Sequence, residues 1–141
     1  MVHDFEYYLK NKLVKKSSKD VEEAKALSRR AGERLKYVRA QEITDENAAF
    51  IFEDVYEAMR EAIQSLMAIE GFKPYSHEVL VSFLNKFYSA EFSSHEINSF
   101  DRYRIIRNNV VYRASSVNKR ETERALEFAL EIIAKIKSVL G

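Results

Sequence analysis

The sequence predicts an all-α fold, an antiparallel up-and-down bundle of five to six helices. Three observations predict it. Only three glycines and one proline interrupt the 141 residues, so β-hairpin turns have few sites to form and long helices are expected. Apolar residues recur at i, i+3, i+4 and i+7 over most of the chain, the period of a helix with one buried face. Capping signals of the Ser/Thr/Asn-x-x-Glu/Asp type stand before several of these stretches. The length suits one domain, residues 1–141, with a short leading helix in 1–16 and the bundle in 18–140.

The first helix is expected over Asp4–Lys16, with Phe5, Tyr8, Leu9 and Leu13 on one face, until Ser17 and Ser18 interrupt it. Ser17 and Asp20 resemble a capping box for a second helix reaching Gln41, whose face is Val21, Ala24, Leu27, Ala31, Leu35 and Val38. Thr44 is positioned to cap a third helix that ends at Gly71. Its stripe of Ala48, Phe52, Val55, Met59, Ala62, Leu66 and Ile69 is apolar throughout, which marks it as the central element. Phe72-Lys73-Pro74 is a connector, because Pro74 forbids continuation of a helix, and Ser76 is placed to cap a fourth helix to about Ser89. Ser93 with Glu96 opens a fifth to Arg113. Asn118 with Glu121 opens the last, with Ala125, Phe128, Ile132, Ile136 and Val139 facing inward. Short connections between these helices imply antiparallel neighbours.

Composition excludes several functions. Without cysteine there is no disulfide, no thiolate metal site and no Cys nucleophile, which fits a cytoplasmic location. No run approaches the ~20 apolar residues of a membrane span, so no membrane association is expected. A net charge of +1 is too balanced for a general nucleic-acid coat. The charge is nevertheless segregated: residues 1–41 carry 11 basic and 6 acidic side chains, whereas 42–71 carry 1 basic and 8 acidic. The first two long helices should therefore meet through ion pairs. Glu53, Asp54 and Glu57 form an acidic group on the third helix. Bundle di-metal sites require a Glu-x-x-His pattern that the chain lacks, so these acids are read as a solvated face or as partners for Arg60 and the second helix, and no metal or other cofactor is expected. No glycine-rich phosphate loop is present.

The most informative segment is Asp101 to Arg113. On a helix Arg104, Asn108 and Tyr112 form one stripe and Arg107 adjoins it. Guanidinium and carboxamide groups supply donors for phosphate oxygens, and a phenol ring supplies a plate for a nucleobase. The same pattern also describes a solvated arginine face over buried Ile106, Val110 and Val111. His77 and His95 stand at helix starts, where part-exposed polar side chains are common. The many tyrosines suit either ligand stacking or a subunit interface.

Two stretches carry a family resemblance. One runs from Ala48 to Leu84 and reads IFEDVYEAMREAIQSLMAIEGFKPYSHEVLVSFL from Ile51, a long helix bearing Ala58-Met59-Arg60 that ends at Gly71 before Ser76-His77-Glu78. The other is the Arg107-Asn108 helix. In this order they resemble the HEPN family (higher eukaryotes and prokaryotes nucleotide-binding), and the resemblance covers most of the chain. It implies a helical homodimer with the Arg-Asn helix at a cleft facing the symmetry mate. Active members are metal-independent ribonucleases in which the Arg is followed, after four to six residues, by a His. The His moves the proton of the RNA 2′-OH or of the leaving oxygen, and the Arg neutralises the phosphate.

Counted from Arg107, those positions are Tyr112, Arg113 and Ala114. A tyrosine with an ordinary pKa near ~10 is a poor base, and loss of the imidazole removes roughly 10²–10⁴-fold in rate. The expectation is therefore a HEPN-like dimer that binds a nucleotide or RNA through Arg104, Arg107, Asn108 and Tyr112, with weakened catalysis. One alternative is a ribonuclease toxin that uses Arg107 with Tyr112 or a displaced His77, held in check by a minimal nucleotidyltransferase antitoxin. The other is a purely structural helical dimer.

Overall fold

The computed structural model of the chain describes residues 2–141. Six helices and one small antiparallel ladder follow in the order α1 (Phe5–Lys10), β1 (Val14–Lys16), α2 (Val21–Arg39), α3 (Ala48–Glu70), β2 (Phe72–Pro74), α4 (Glu78–Phe87), α5 (Ser94–Arg113) and α6 (Lys119–Leu140). The helical bundle that the apolar period predicts is the fold.

α3 is its axis. Fourteen of its 23 residues are buried, including the whole stripe from Ala48 to Leu66, with only Ile69 half-exposed at the end. A helix buried on so much of its circumference has to be surrounded. α2 lies antiparallel to it: the Asp20 amide donates to the Ala68 carbonyl (2.9 Å) at one end, and Arg34 reaches Asp54 farther along. α6 runs parallel to α3, since Thr122 Oγ1 at the start of α6 donates to the Ala48 carbonyl at 2.9 Å. At the far ends Ile69 and Leu140 line one cavity. α5 returns antiparallel to α6, joined through Lys135–Glu96 (2.8 Å) and the Tyr103–Phe128 ring pair.

The basic and acidic segments meet as their charges require. Arg30 and Arg34 both reach Glu61 at 2.8 Å, and Arg60 pairs with Glu57 on its own helix. Glu61 is only 2% exposed. A carboxylate removed from water to that degree persists only when paired and hydrogen-bonded, and two guanidinia satisfy it. The acidic group on α3 is thus largely consumed by ion pairs.

Several local expectations are corrected. The leading helix does not reach Lys16; it stops at Lys10, Lys12 turns left-handed (φ 57°), and Val14–Lys16 becomes a strand. Its partner is Phe72–Pro74, which the sequence presented as a plain connector. The ladder forms because Phe5 of α1 meets Phe72 of β2 and Phe87 of α4 edge-on at 5.0 and 5.4 Å, so burying these rings brings both strands together. Pro74 is tolerated at the end of a short ladder, where no amide is required of it.

The cap of α2 is Asp20, whose side chain accepts from the Glu23 amide, and Ser17 instead donates its amide to the Gly71 carbonyl. Asn47 rather than Thr44 precedes α3, and the two brace the loop by exchanging backbone-to-side-chain hydrogen bonds. His77 occupies the position before α4, with Ser76 Oγ accepting from the Glu78 amide, and α4 ends at Phe87. The capping boxes of α5 and α6 are complete. Val21, Val111 and Val139 are exposed, beyond the edge of the buried stripe on each of their helices.

Candidate functional site

The site is built from α5 outward. Its first turns pack Ile97 and Phe100 into the core, which turns Arg104 inward and leaves Arg107 and Asn108 half-buried and Tyr112 open to solvent. Arg104 is 7% exposed. Its Nε donates to Asp101 Oδ1 at 2.8 Å and its Nη1 lies 3.9 Å from Glu78 Oε1. Glu78 in turn accepts from the Tyr8 hydroxyl at 3.0 Å, so the guanidinium ties α5 to α4 and, through the carboxylate, to α1. Arg104, which the helical stripe groups with the ligand donors, is a positioning residue here.

Arg107 is placed differently. Its guanidinium carbon lies 5.7 Å from the centre of the Tyr56 ring and 5.8 Å from that of Tyr112, and its Nη1 reaches Asn108 Oδ1 at 3.4 Å. Aromatic faces attract a cation without neutralising it. Among the described residues Arg107 has no carboxylate partner, whereas Arg60 is paired to Glu57 and bonded to Gln64, and Arg104 is paired to Asp101.

The structure brings His77 to this cluster. Nδ1 of His77 and the hydroxyl of Tyr56 are 3.0 Å apart, and the two rings are nearly parallel. Tyr56 also stacks on Phe100, with ring centres 5.7 Å apart. Burial pushes the Tyr56 hydroxyl well above its ordinary range, more than the surrounding Arg107, Arg104 and Arg60 pull it down. Burial also holds the His77 imidazole below its ordinary value, reinforced by the Arg107 and Arg60 guanidinia and opposed by Glu57. At neutral pH the site therefore holds a neutral imidazole, a protonated phenol and an unpaired cation. With Tyr56 donating to Nδ1, Nε2 carries the ring proton and is a donor; in the other tautomer Nε2 is a base.

Spacing along one helix could pair Arg107 with Asn108 and Tyr112, which the structure does keep together. It could not reveal that α3 and the start of α4 supply Tyr56, Arg60 and His77. The usable signal was Tyr56 itself, a phenol within an apolar helix, which needs a polar partner once buried. The other histidines lie apart from this cluster: His95 is exposed on the first turn of α5, and His3 stacks on Tyr7 with ring centres 3.7 Å apart. No cluster of three or more His, Asp and Glu that could hold a metal occurs among the described residues, and no helix of the described residues is long and apolar enough to cross a membrane.

Compared with protein-family models, curated proteins and solved structures, the chain matches none. The chemistry of the site rests in the Arg107, His77 and Tyr56 groups themselves. Together they can accept an anion at Arg107, offer donors beside it and stack a planar ring on exposed Tyr112.

Proposed function

We propose that the chain is a HEPN-like helical domain that binds the phosphate of a nucleotide or RNA at Arg107, acts as a homodimer and has weakened catalysis because Tyr112 stands where the family's histidine is expected. The observation that carries this reading is the unpaired state of Arg107 among three neighbouring guanidinia, two of which are matched by carboxylates. A half-buried cation without an anionic partner has an unmet electrostatic demand that a phosphate oxygen satisfies. Asn108 beside it adds a carboxamide, and the Tyr112 ring, 75% exposed, offers a stacking surface. Ile105 and Val111 are also exposed on α5, apolar side chains that a symmetry mate would cover. The test is binding of a fluorescent single-stranded RNA oligonucleotide to the native protein and to Arg107→Ala over a range of salt concentrations.

A second reading is favoured by the position of His77: a metal-independent ribonuclease toxin with a minimal nucleotidyltransferase as its antitoxin. In it Arg107 neutralises the phosphate while the neutral His77, held by Tyr56, moves the proton. Single-turnover cleavage of a structured RNA by the native protein and by His77→Ala separates the two readings.

A further inference from the structure

A second surface lies between α2 and α6, where neither helix is drawn fully against the other because both pack on α3. Two neighbouring cavities of about 640 and 390 Å³ open there, and Lys137 lines both. Ala24, Ser28 and Gly32, spaced i, i+4, i+8, keep the wall on α2 low. The floor is apolar: Leu35 and Ile133 are buried at its base, and Leu130 and Leu140 are half-exposed along it.

The charges around this floor all have one sign. Lys25, Arg29, Lys36 and Arg39 come from α2 and Lys137 from α6, and no Asp or Glu lines either cavity. None of the five forms an ion pair among the described residues, whereas Arg30 and Arg34 on the α3 side of α2 share the buried Glu61. The Lys137 ammonium lies over Gly32, since a Cβ added there would sit 2.5 Å from its Nζ. A glycine within a helix costs about 1 kcal/mol relative to alanine, and here it leaves room for that ammonium.

We propose that this groove docks an amphipathic helix of a partner protein, one with an apolar stripe flanked by Asp and Glu. An elongated apolar floor with a cationic rim suits a helix laid into a groove, its stripe on the floor and its carboxylates against the rim. From Lys25 to Arg39 the rim extends about 21 Å along α2, which matches roughly four helical turns of a partner. The lining residues belong to α2, α6 and the end of α3, and none belongs to the Arg107 cluster, so this docking is independent of phosphate binding.

The test uses a fluorescein-labelled synthetic peptide of about 18 residues with a leucine and alanine stripe flanked by glutamates, and a control with lysines in place of the glutamates. Anisotropy is read with the native chain, with Lys36→Glu/Lys137→Glu and with Gly32→Leu, each verified as folded by thermal melting. The glutamate peptide should bind the native protein and weaken as salt rises. The charge reversal should weaken it about tenfold or more, Gly32→Leu should block it, and the lysine peptide should not bind. Equal binding of both peptides, equal binding to native and charge-reversed protein, or no binding of the glutamate peptide would overturn the proposal. So would a native dimer in sedimentation that Lys137→Glu dissociates, which would assign the groove to a second copy of the chain.

Discussion

The Tyr56 hydroxyl and Nδ1 of His77, 3.0 Å apart, join the middle of α3 to the start of α4 and place a neutral imidazole beside the unpaired guanidinium of Arg107. The Tyr56 ring is also stacked on Phe100 of α5, so residues of three helices meet at this phenol. Its chemical character follows from burial. An imidazole withdrawn from water among guanidinia loses the charged form, and a buried phenol keeps its proton.

This lowering makes stability depend on pH in a defined sense. In the unfolded chain His77 takes a proton near its ordinary pKa of ~6.5, and in the fold only at lower pH. Between those two values the unfolded state binds more protons, so stability rises with pH there. The contribution is complete above ~6.5 and is lost as pH falls through the folded value. Urea midpoints of the native protein and of His77→Gln at pH 7.5 and 5.0 should show the larger acid loss in the native protein. The Glu96 carboxyl, raised by burial but brought below its ordinary value by Lys135 and Ser93, titrates in both proteins and cancels. Equal losses would show that His77 is solvated in the fold.

Gly71 should not tolerate a side chain. Its φ of +86° is left-handed, and a Cβ there would lie 2.7 Å from the carbonyl oxygen of Ser17, whose own amide is fixed by donating to the Gly71 carbonyl just beyond the β1–β2 ladder. Gly71→Ala should cost about 1–3 kcal/mol in urea denaturation. A change within about 0.5 kcal/mol would mean that the ladder yields without loss.

Leu66→Ala tests the axis of the bundle. Leu66 is fully buried in the stripe of α3, and truncation there should cost about 2–5 kcal/mol, according to how far its neighbours close the cavity. An unchanged urea midpoint would place Leu66 outside the core.

The elements legible in the sequence are those whose signals are local. The period of α3, the glycine stop at Gly71 and the paired caps at Ser93–Glu96 and Asn118–Glu121 each lie within one or two turns of chain, and the structure contains all of them. Three residues of strand are too short to show a period of two, and Val14–Lys16 and Phe72–Pro74 pair only because the aromatic group around Phe5 draws them together. The site divides in the same way. Arg107, Asn108 and Tyr112 share α5 and could be grouped by spacing, whereas Tyr56 and His77 approach Arg107 only through the packing of α3, α4 and α5. Arg104 and Arg107 look alike in sequence, and what distinguishes them is Asp101 one turn before and Glu78 from another helix, which consume the charge of Arg104 alone.

That distinction supports the last prediction, in which neighbouring arginines respond to the same substitution in opposite ways. Arg104→Ala should leave Asp101 and Glu78 without their shared cation and destabilise the fold by about 1–3 kcal/mol, with RNA affinity of the folded fraction less affected. Arg107→Ala should leave stability nearly unchanged, weaken RNA or nucleotide binding by about 1–3 kcal/mol and reduce the salt dependence of what remains, because one phosphate contact is lost. Tyr112→His should preserve binding, since the ring is exposed and Arg107 keeps its position against Tyr56. The new imidazole, with an ordinary pKa near ~6.5, replaces a ring that lies 5.8 Å from the Arg107 guanidinium and should raise RNA cleavage above the native level. The measurements are urea titration, anisotropy of a labelled RNA at several salt concentrations and single-turnover cleavage, with His77→Ala as the fourth protein. Strong native cleavage lost in His77→Ala selects the ribonuclease, weak native cleavage with binding intact in His77→Ala selects the binding domain, and RNA affinity unchanged by Arg107→Ala removes Arg107 from the site in both.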